Sequence, residues 1–542
     1  MLSSSIGIAL LLSAISVSAQ VNLLTDINQI SRSWGQVSVY ADNEEDYFGV
    51  EYVGLPDGCQ IESASTLQRH AQRFPTSYID DGVNDQQFAD KLSNFTKAAS
   101  GNSSVGLFTG PLSFLNGYQY IMQDTGLLTG IGAITEFQSG VSFWNRYGRT
   151  LFNASLAQLA YNSTIDNGTA RPPVVIRTTS QSRIQNTQIS WSLGFFGPSF
   201  RTIASPTLAN WTAPFERVVI PEGGTENNTL ASYDSCFNDY SALGYMGDDD
   251  IFTYLPKYLG AATKRMQKYA PSGFSFNYND TYAMQSICAY EYNYIGMSDF
   301  CFLFTADEWA GFENTLDMEY YYDYSYGNPT GRAQGIGYLQ ELIARLEHVY
   351  ITSSNSSVNS TIDNNAATFP LGQPFYADFS HDDIIISVLT AMSMDYFKDP
   401  PSLSQYPPNP NRHFNLANLT PFGARLITET IGCSVPDPAP VKDFRTQYTP
   451  TQYGYDADNA TYKFIRMRLN NGVLPLNTIR GGGCGTANDG RVDGMCELSA
   501  FIASQATAYE LSNYDFACFG NYTIANLTSG QDYDGAATMA SY

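Results

Sequence analysis

The segment Gln68-Arg69-His70-Ala71-Gln72-Arg73-Phe74-Pro75 sets a histidine beside one arginine and three residues before another. Both guanidiniums stay charged and can donate paired hydrogen bonds to phosphate oxygens. A neutral imidazole in that positive field can attack phosphorus and become a phosphohistidine, a covalent intermediate. Pro75 ends the segment and points to a loop leaving a strand, where sites form in open α/β sheets. A chance basic loop is the bland alternative.

Two further stretches supply complementary groups. Phe375 to Ser380, then His381-Asp382-Asp383, then the apolar run Ile384 to Met394 reads as strand, tight turn and helix. His381 and Asp382 then stand at a helix N-terminus, where the dipole and free amides favour an anion, though such a pair also serves as a simple cap. Val174-Val175-Ile176 reads as a buried strand leading into a polar loop that holds Arg177 and Arg183. Only four histidines occur, His70, His348, His381 and His413, and two of them lie in these motifs. Together the pieces describe one reaction. His70 is the nucleophile, Arg69, Arg73 and Arg183 bind the phosphoryl oxygens, and His381 holds a further oxygen. Asp382 protonates the leaving alkoxide and then helps water attack the phosphohistidine. This chemistry calls for no metal and no cofactor, and no HExxH cluster is present.

Several elements must position these groups. Ile61 to Leu67 has poor strand composition and is read as a strand from context. Phe88 to Phe95, Tyr254 to Tyr269, Ala306 to Leu316 and the face Ile336, Leu339, Leu342, Ile343 and Leu346 have helical spacing. The Gly130-Ile131-Gly132 run lacks the third glycine of a dinucleotide site and reads as a turn into a helix. Tyr462 to Leu469 and Val473 to Leu476, joined through Asn471-Gly472, form a hairpin. The reading divides the chain into an N-terminal segment 20–58, an α/β domain built from 59–189 and 330–542, and a mainly helical insertion over 190–329. The tail of that insertion, Glu319 to Tyr324, could line a cleft, but a partly exposed aromatic face is the expected reading.

Composition bounds the setting. Residues 1–19 read as a secretory signal, and no later stretch approaches the roughly 20 apolar residues of a membrane span. Fourteen Asn-x-Ser/Thr sequons, among them Asn94, Asn102, Asn153, Asn210, Asn227, Asn279, Asn355, Asn418, Asn459 and Asn526, point to N-linked glycans on a secreted protein. Eight cysteines without a Cys-x-x-Cys pair favour four disulfides over zinc. The net charge of −24 makes nucleic acid an unsuitable partner and suits an acidic medium. With eight lysines in the chain and none between Lys97 and Lys257, a positive site must come from arginine and histidine.

The chain resembles the histidine acid phosphatases. RHAQRFP is similar to their RHGxRxP signature and FSHDD to their His-Asp motif. NNTL before Cys236, FCFLFTADEW, GNPTGRAQGIGYLQELIARL and PFGARL resemble stretches of the fungal phytase and acid phosphatase branch, so the likeness runs from about Cys59 to Cys518. It implies an α/β domain with a central mixed sheet flanked by helices plus a smaller helical domain, of the phosphoglycerate mutase-like type, with the site between them. It implies Arg183 rather than Arg177 at the phosphate, and the disulfides Cys59–Cys433, Cys236–Cys518, Cys288–Cys301 and Cys484–Cys496 among 105 possible pairings. Ala71 stands where the family usually has glycine, and activity is expected to survive it. Phytate-specialised relatives carry lysines where this chain has Tyr78-Ile79-Asp80-Asp81 and Glu319-Tyr320. The expected activity is therefore a broad, secreted acid phosphomonoesterase acting on small phosphomonoesters. Phytate hydrolysis by the same residues is the alternative, and a silent phospholigand-binding glycoprotein is the non-enzymatic one.

Overall fold

The computed structural model describes residues 21–537, apart from 79–80, 100–105, 124, 166–167, 201–212, 224–225, 448, 487–489 and 525–529. The expected signal 1–19 lies outside them, as do Ile79, Asp80 and the sequons at Asn102, Asn210 and Asn526. Among the other sequons named above, Asn94, Asn153, Asn227, Asn279, Asn355 and Asn459 are exposed and Asn418 is half-buried.

One mixed sheet organises the chain, in the order β3-β2-β4-β1-β5-β6-β7, with β8 on β6. Its strands are β1 Cys59–Arg69, β2 Val174–Thr179, β3 Phe215–Ile220, β4 Phe375–Ser380, β5 Arg425–Cys433, β6 Tyr462–Leu469, β7 Gly472–Val473 and β8 Cys496–Glu497. The first four are parallel, and pairing from β1 to β5 onward is antiparallel. β1 forms despite its Glu62 and hydroxyl residues because it is paired on both edges, to β4 and β5. Tertiary pairing overrides its weak propensity.

The principal helices are α1 Val83–Ala99, α2 Gly130–Phe143, α3 Ser182–Phe196, α4 Met246–Gln267, α5 Tyr278–Ile295, α6 Ala306–Tyr324, α7 Gly331–Glu347 and α8 Asp382–Ala391. Side chains alternate across the sheet, so Leu426 enters one core and Ile427 the other. On the Ile427 side α2 and α3 lay Phe143, Trp191 and Phe195 over Phe375 of β4. These two helices touch backbone to backbone: a Cβ on Gly140 would lie 2.0 Å from the Trp191 carbonyl, and one on Gly194 2.0 Å from that of Phe137. On the other side α7 and α8 pack together through the larger core.

Helices α4, α5 and α6 lie within 190–329, the stretch read from sequence as a mainly helical insertion. That stretch also contributes β3, which adds in parallel to the edge of β2. Conversely, α1 lies before it yet docks on α5, through Ser286 Oγ to Asp85 (2.8 Å) and Asn84 to the Asn279 carbonyl (3.0 Å). Hydrophobic spacing marks helices but not which layer they join. The tail of α6 also departs from expectation, since Tyr320, Tyr321 and Tyr322 are buried.

The four disulfides join Cys59–Cys433, Cys236–Cys518, Cys288–Cys301 and Cys484–Cys496. Among the described residues no helix is long and apolar enough to cross a membrane.

Candidate active site

All four parallel strands deliver residues to one edge of the sheet, at their carboxyl ends. The register of β1 on β4 sets Arg69 opposite Ser380, and the His70 amide donates to the Ser380 carbonyl at 3.1 Å. The two chains therefore leave the sheet side by side, and the His70 and His381 rings lie 5.8 Å apart between centroids. The loop after β2 opens α3 and brings in Arg183, while the turn after β3 brings in Glu222.

His70 is buried. Its Nδ1 lies 2.9 Å from the Ala71 carbonyl, which can only accept, so Nδ1 carries the hydrogen and Nε2 keeps its lone pair. Burial, then Arg69, Arg183, Arg73 and His381, drive its pKa well below the ordinary value of 6.5. The imidazole is thus biased toward its neutral, nucleophilic form. Ala71 is also buried, and its backbone is not among the left-handed residues, so its methyl meets no conformational barrier.

The three arginines are held differently. Arg69 is fully buried, donates to the carbonyls of Gln36 and Thr420 (2.6 Å for the latter), and faces Asp382 at 2.6 Å. Arg73 pairs with Asp81 at 2.9 Å and reaches the Tyr290 hydroxyl at 3.4 Å. Arg183 lines the cleft, and its buried Nε has no hydrogen-bond partner. Burial and the neighbouring Arg73 lower its pKa, which is the signature of cations gathered without enough anion. Gly126, at φ +58°, makes room for it, since a Cβ there would lie 3.1 Å from the guanidinium.

His381 is the extended residue preceding α8, as the sequence predicts. Its Nε2 lies 3.1 Å from the Tyr233 hydroxyl and 3.3 Å from Glu222. Burial pushes the Glu222 carboxyl up, but His381 and the hydrogen bond from Tyr233 outweigh it and hold the group at about 2. Asp382 accepts from the Tyr320 hydroxyl at 2.6 Å. Burial opposes its charge, yet Arg69, that hydroxyl and Arg73 hold it below the ordinary carboxylate range. Its neighbour Asp383 goes the other way, raised by burial and by Asp382. The two adjacent acids are therefore pushed in opposite directions, Asp382 toward its charged form and Asp383 toward its protonated form.

The cleft holds about 500 Å³ and is lined by Arg73, Arg183, His381, Asp382, Tyr320 and Tyr324 among others. Thus His70, Arg69, Arg73, Arg183, His381 and Asp382 converge. His348 ends α7, and His413 stacks on Tyr396 at 4.0 Å; neither lines this cleft. Arg177 points elsewhere, into a buried cluster with Asp378 (2.7 Å), Glu341 (2.5 Å) and Asp363 (3.4 Å). Sequence reasoning missed Glu222 and Tyr233, and it set Tyr320 in a segment that could line a cleft but was expected as a partly exposed face. Glu222 follows the β-branched run Val218-Val219-Ile220, a signal that could have flagged it.

A neutral histidine ringed by guanidiniums at the carboxyl edge of a parallel half-sheet is built to handle phosphoryl groups. The family model of the histidine phosphatase superfamily (branch 2) matches residues 60–470, and the chain belongs to that superfamily. It is a phosphoric monoester hydrolase by that membership. Curated relatives include Phytase A of Aspergillus oryzae, 29% identical over 84% of this chain and 90% of the relative. Phytase A of Emericella nidulans is 30% identical over 84% and 89%. Among solved structures, the phytase from D. castellii superposes with a TM-score of 0.64 at 22% identity, covering 93% of this chain and 91% of that one.

Proposed function

We propose that this chain is a secreted, broad-specificity acid phosphomonoesterase that works through a phosphohistidine. The observation that carries the reading is His70, a neutral buried imidazole with Nε2 free, set among Arg69, Arg73 and Arg183. The phosphate dianion sits against Arg73, Arg183 and His381. Nε2 of His70 bonds to phosphorus as the ester P–O bond breaks, and the leaving alkoxide takes a proton from Asp382. Water then gives that carboxyl back its proton, attacks phosphorus, and releases inorganic phosphate and free His70. The dianion competes with Asp382 for Arg69 and Arg73 and raises the carboxyl, so substrate binding itself makes Asp382 a donor. Residues 1–19 and the four disulfides support export.

Phytate hydrolysis is the second reading, favoured by the Phytase A relatives. Against it, no lysine lines the cleft while Asp239, Asp248, Glu319, Asp323 and Asp383 do, and a hexakisphosphate needs cations around the phosphates not being cleaved. Phosphate release from p-nitrophenyl phosphate and from phytate between about pH 2.5 and 7, with His70→Ala as control, tests both. Activity on the aryl ester that His70→Ala abolishes is expected. Comparable kcat/KM on phytate would shift the reading to phytase, and inactivity on both would favour a silent binder.

A further inference from the structure

The cleft has two unlike ends. Arg73, Arg183 and His381 mark the phosphate end. The nucleophile and the leaving oxygen lie on opposite sides of phosphorus, and the leaving oxygen must reach Asp382, so the leaving group extends past Asp382. The same lining holds Asp383, which is adjacent to Asp382 and feels the charge of Asp239, together with Asp239, Tyr324 and Tyr245 and further carboxylates at Glu319 and Asp323. Asp383 is 6% exposed and its buried Oδ2 has no hydrogen-bond partner. Asp239 accepts from the Gln334 amide at 2.7 Å rather than from a cation. Burial accordingly pushes Asp239 up to about 8 and Asp383 upward too.

Carboxyls packed beside tyrosine rings form a seat for an organic cation, since ring faces attract ammonium groups and a cation bound between Asp239 and Asp383 favours the ionised form of carboxyls that burial otherwise keeps protonated. We infer that the preferred substrates are short aminoalkyl phosphates, whose ammonium sits against Tyr245 and Tyr324 between Asp239 and Asp383 while the phosphate meets Arg73 and Arg183. The inference rests on the phosphomonoesterase reading and names its substrate class. It also accounts for why the wall is acidic in an enzyme whose substrates are anions: the seat is complementary to the leaving group, not to the phosphate.

The test compares kcat/KM at about pH 6 for choline phosphate and for 3,3-dimethylbutyl phosphate, which has the same shape without the charge, with p-nitrophenyl phosphate as reference. We expect a preference of about tenfold for the choline ester, falling at least about threefold in Asp239→Asn and in Tyr245→Leu. Tyr245 is partly exposed, so its replacement decides the matter if the Asp239 variant does not fold. Equal kcat/KM on the two alkyl esters with p-nitrophenyl phosphate turned over, or a preference that neither variant changes, overturns the inference and leaves the phosphatase reading standing. Inactivity on all three removes both.

Discussion

Arg69 holds Asp382 at 2.6 Å, so the arginine that precedes His70 in the chain is also the counter-ion of Asp382. This pairing holds the Asp382 carboxyl below the ordinary carboxylate range. A phosphate that draws on Arg69 and Arg73 loosens it, and kcat should then fall as pH rises through the raised pKa of the complex. Asp382→Asn is expected to lower kcat on an alkyl phosphate by about 10²-fold or more, and on p-nitrophenyl phosphate much less, because that aryloxide leaves without a proton. Equal losses on both esters would mean that Asp382 is not the donor.

Glu222 acts through His381 rather than on phosphate. With its carboxylate 3.3 Å from Nε2, it orients the ring toward the phosphate site. Glu222→Gln should raise KM and the inhibition constant of inorganic phosphate by roughly threefold to tenfold, with a smaller change in kcat. A change confined to kcat would contradict this positioning role.

Ala71 replaces the family glycine at no conformational cost, since its backbone does not require positive φ. Ala71→Gly should change turnover by less than about threefold and, by removing a buried methyl and adding chain entropy, lower stability by about 1 kcal/mol. A hundredfold rise in kcat would show that the methyl obstructs the site.

Arg177 stabilises the fold and not the substrate. It bridges Asp378, Glu341 and Asp363, with Arg345 adding a second cation 2.5 Å from Asp378. Arg177→Met would leave buried carboxylates short of charge and cost about 3–5 kcal/mol. Thermal unfolding should show a large drop in Tm, while KM of the remaining folded enzyme stays put. A marked KM effect would place Arg177 in the site.

The buried acids fix the direction of the pH dependence of stability. Glu429, held at about 2 against burial by Arg466 and Arg468, stabilises the fold above its ordinary 4.5, and that contribution is lost as pH falls from 4.5 toward 2. Asp239 and Asp250, pushed by burial to about 8 and about 7, bind more protons folded than unfolded. Their effect reverses the sign: stability is lost as pH climbs from 3.8 through those values. Tm should therefore peak near about pH 4 to 5 and be lower at both about pH 2.5 and about pH 8. A Tm that rises steadily to pH 8 would refute it.

Local chemistry made much of this protein legible. Arg69-His70 and His381-Asp382 could be read as site residues because each adjoins a strand end, and a strand end in a parallel sheet faces one edge. The apolar run after Asp383 and the capping geometry at His381 were likewise visible, as was β2 from its β-branched residues. The resemblance supplied the disulfide partners and the choice of Arg183, which spacing alone leaves open. Tertiary structure decided the rest, because it depends on which distant segments meet. The pairing of β3 on β2 places Glu222 beside His381 across 159 residues of chain. The docking of α6 buries Tyr320 against Asp382, and the strand register turns Arg177 onto Asp378 and away from phosphate. A sequence determines which groups can react; only the packing of the sheet and helices determines the charges around them, and hence which are neutral, which are ionised and what substrate they can hold.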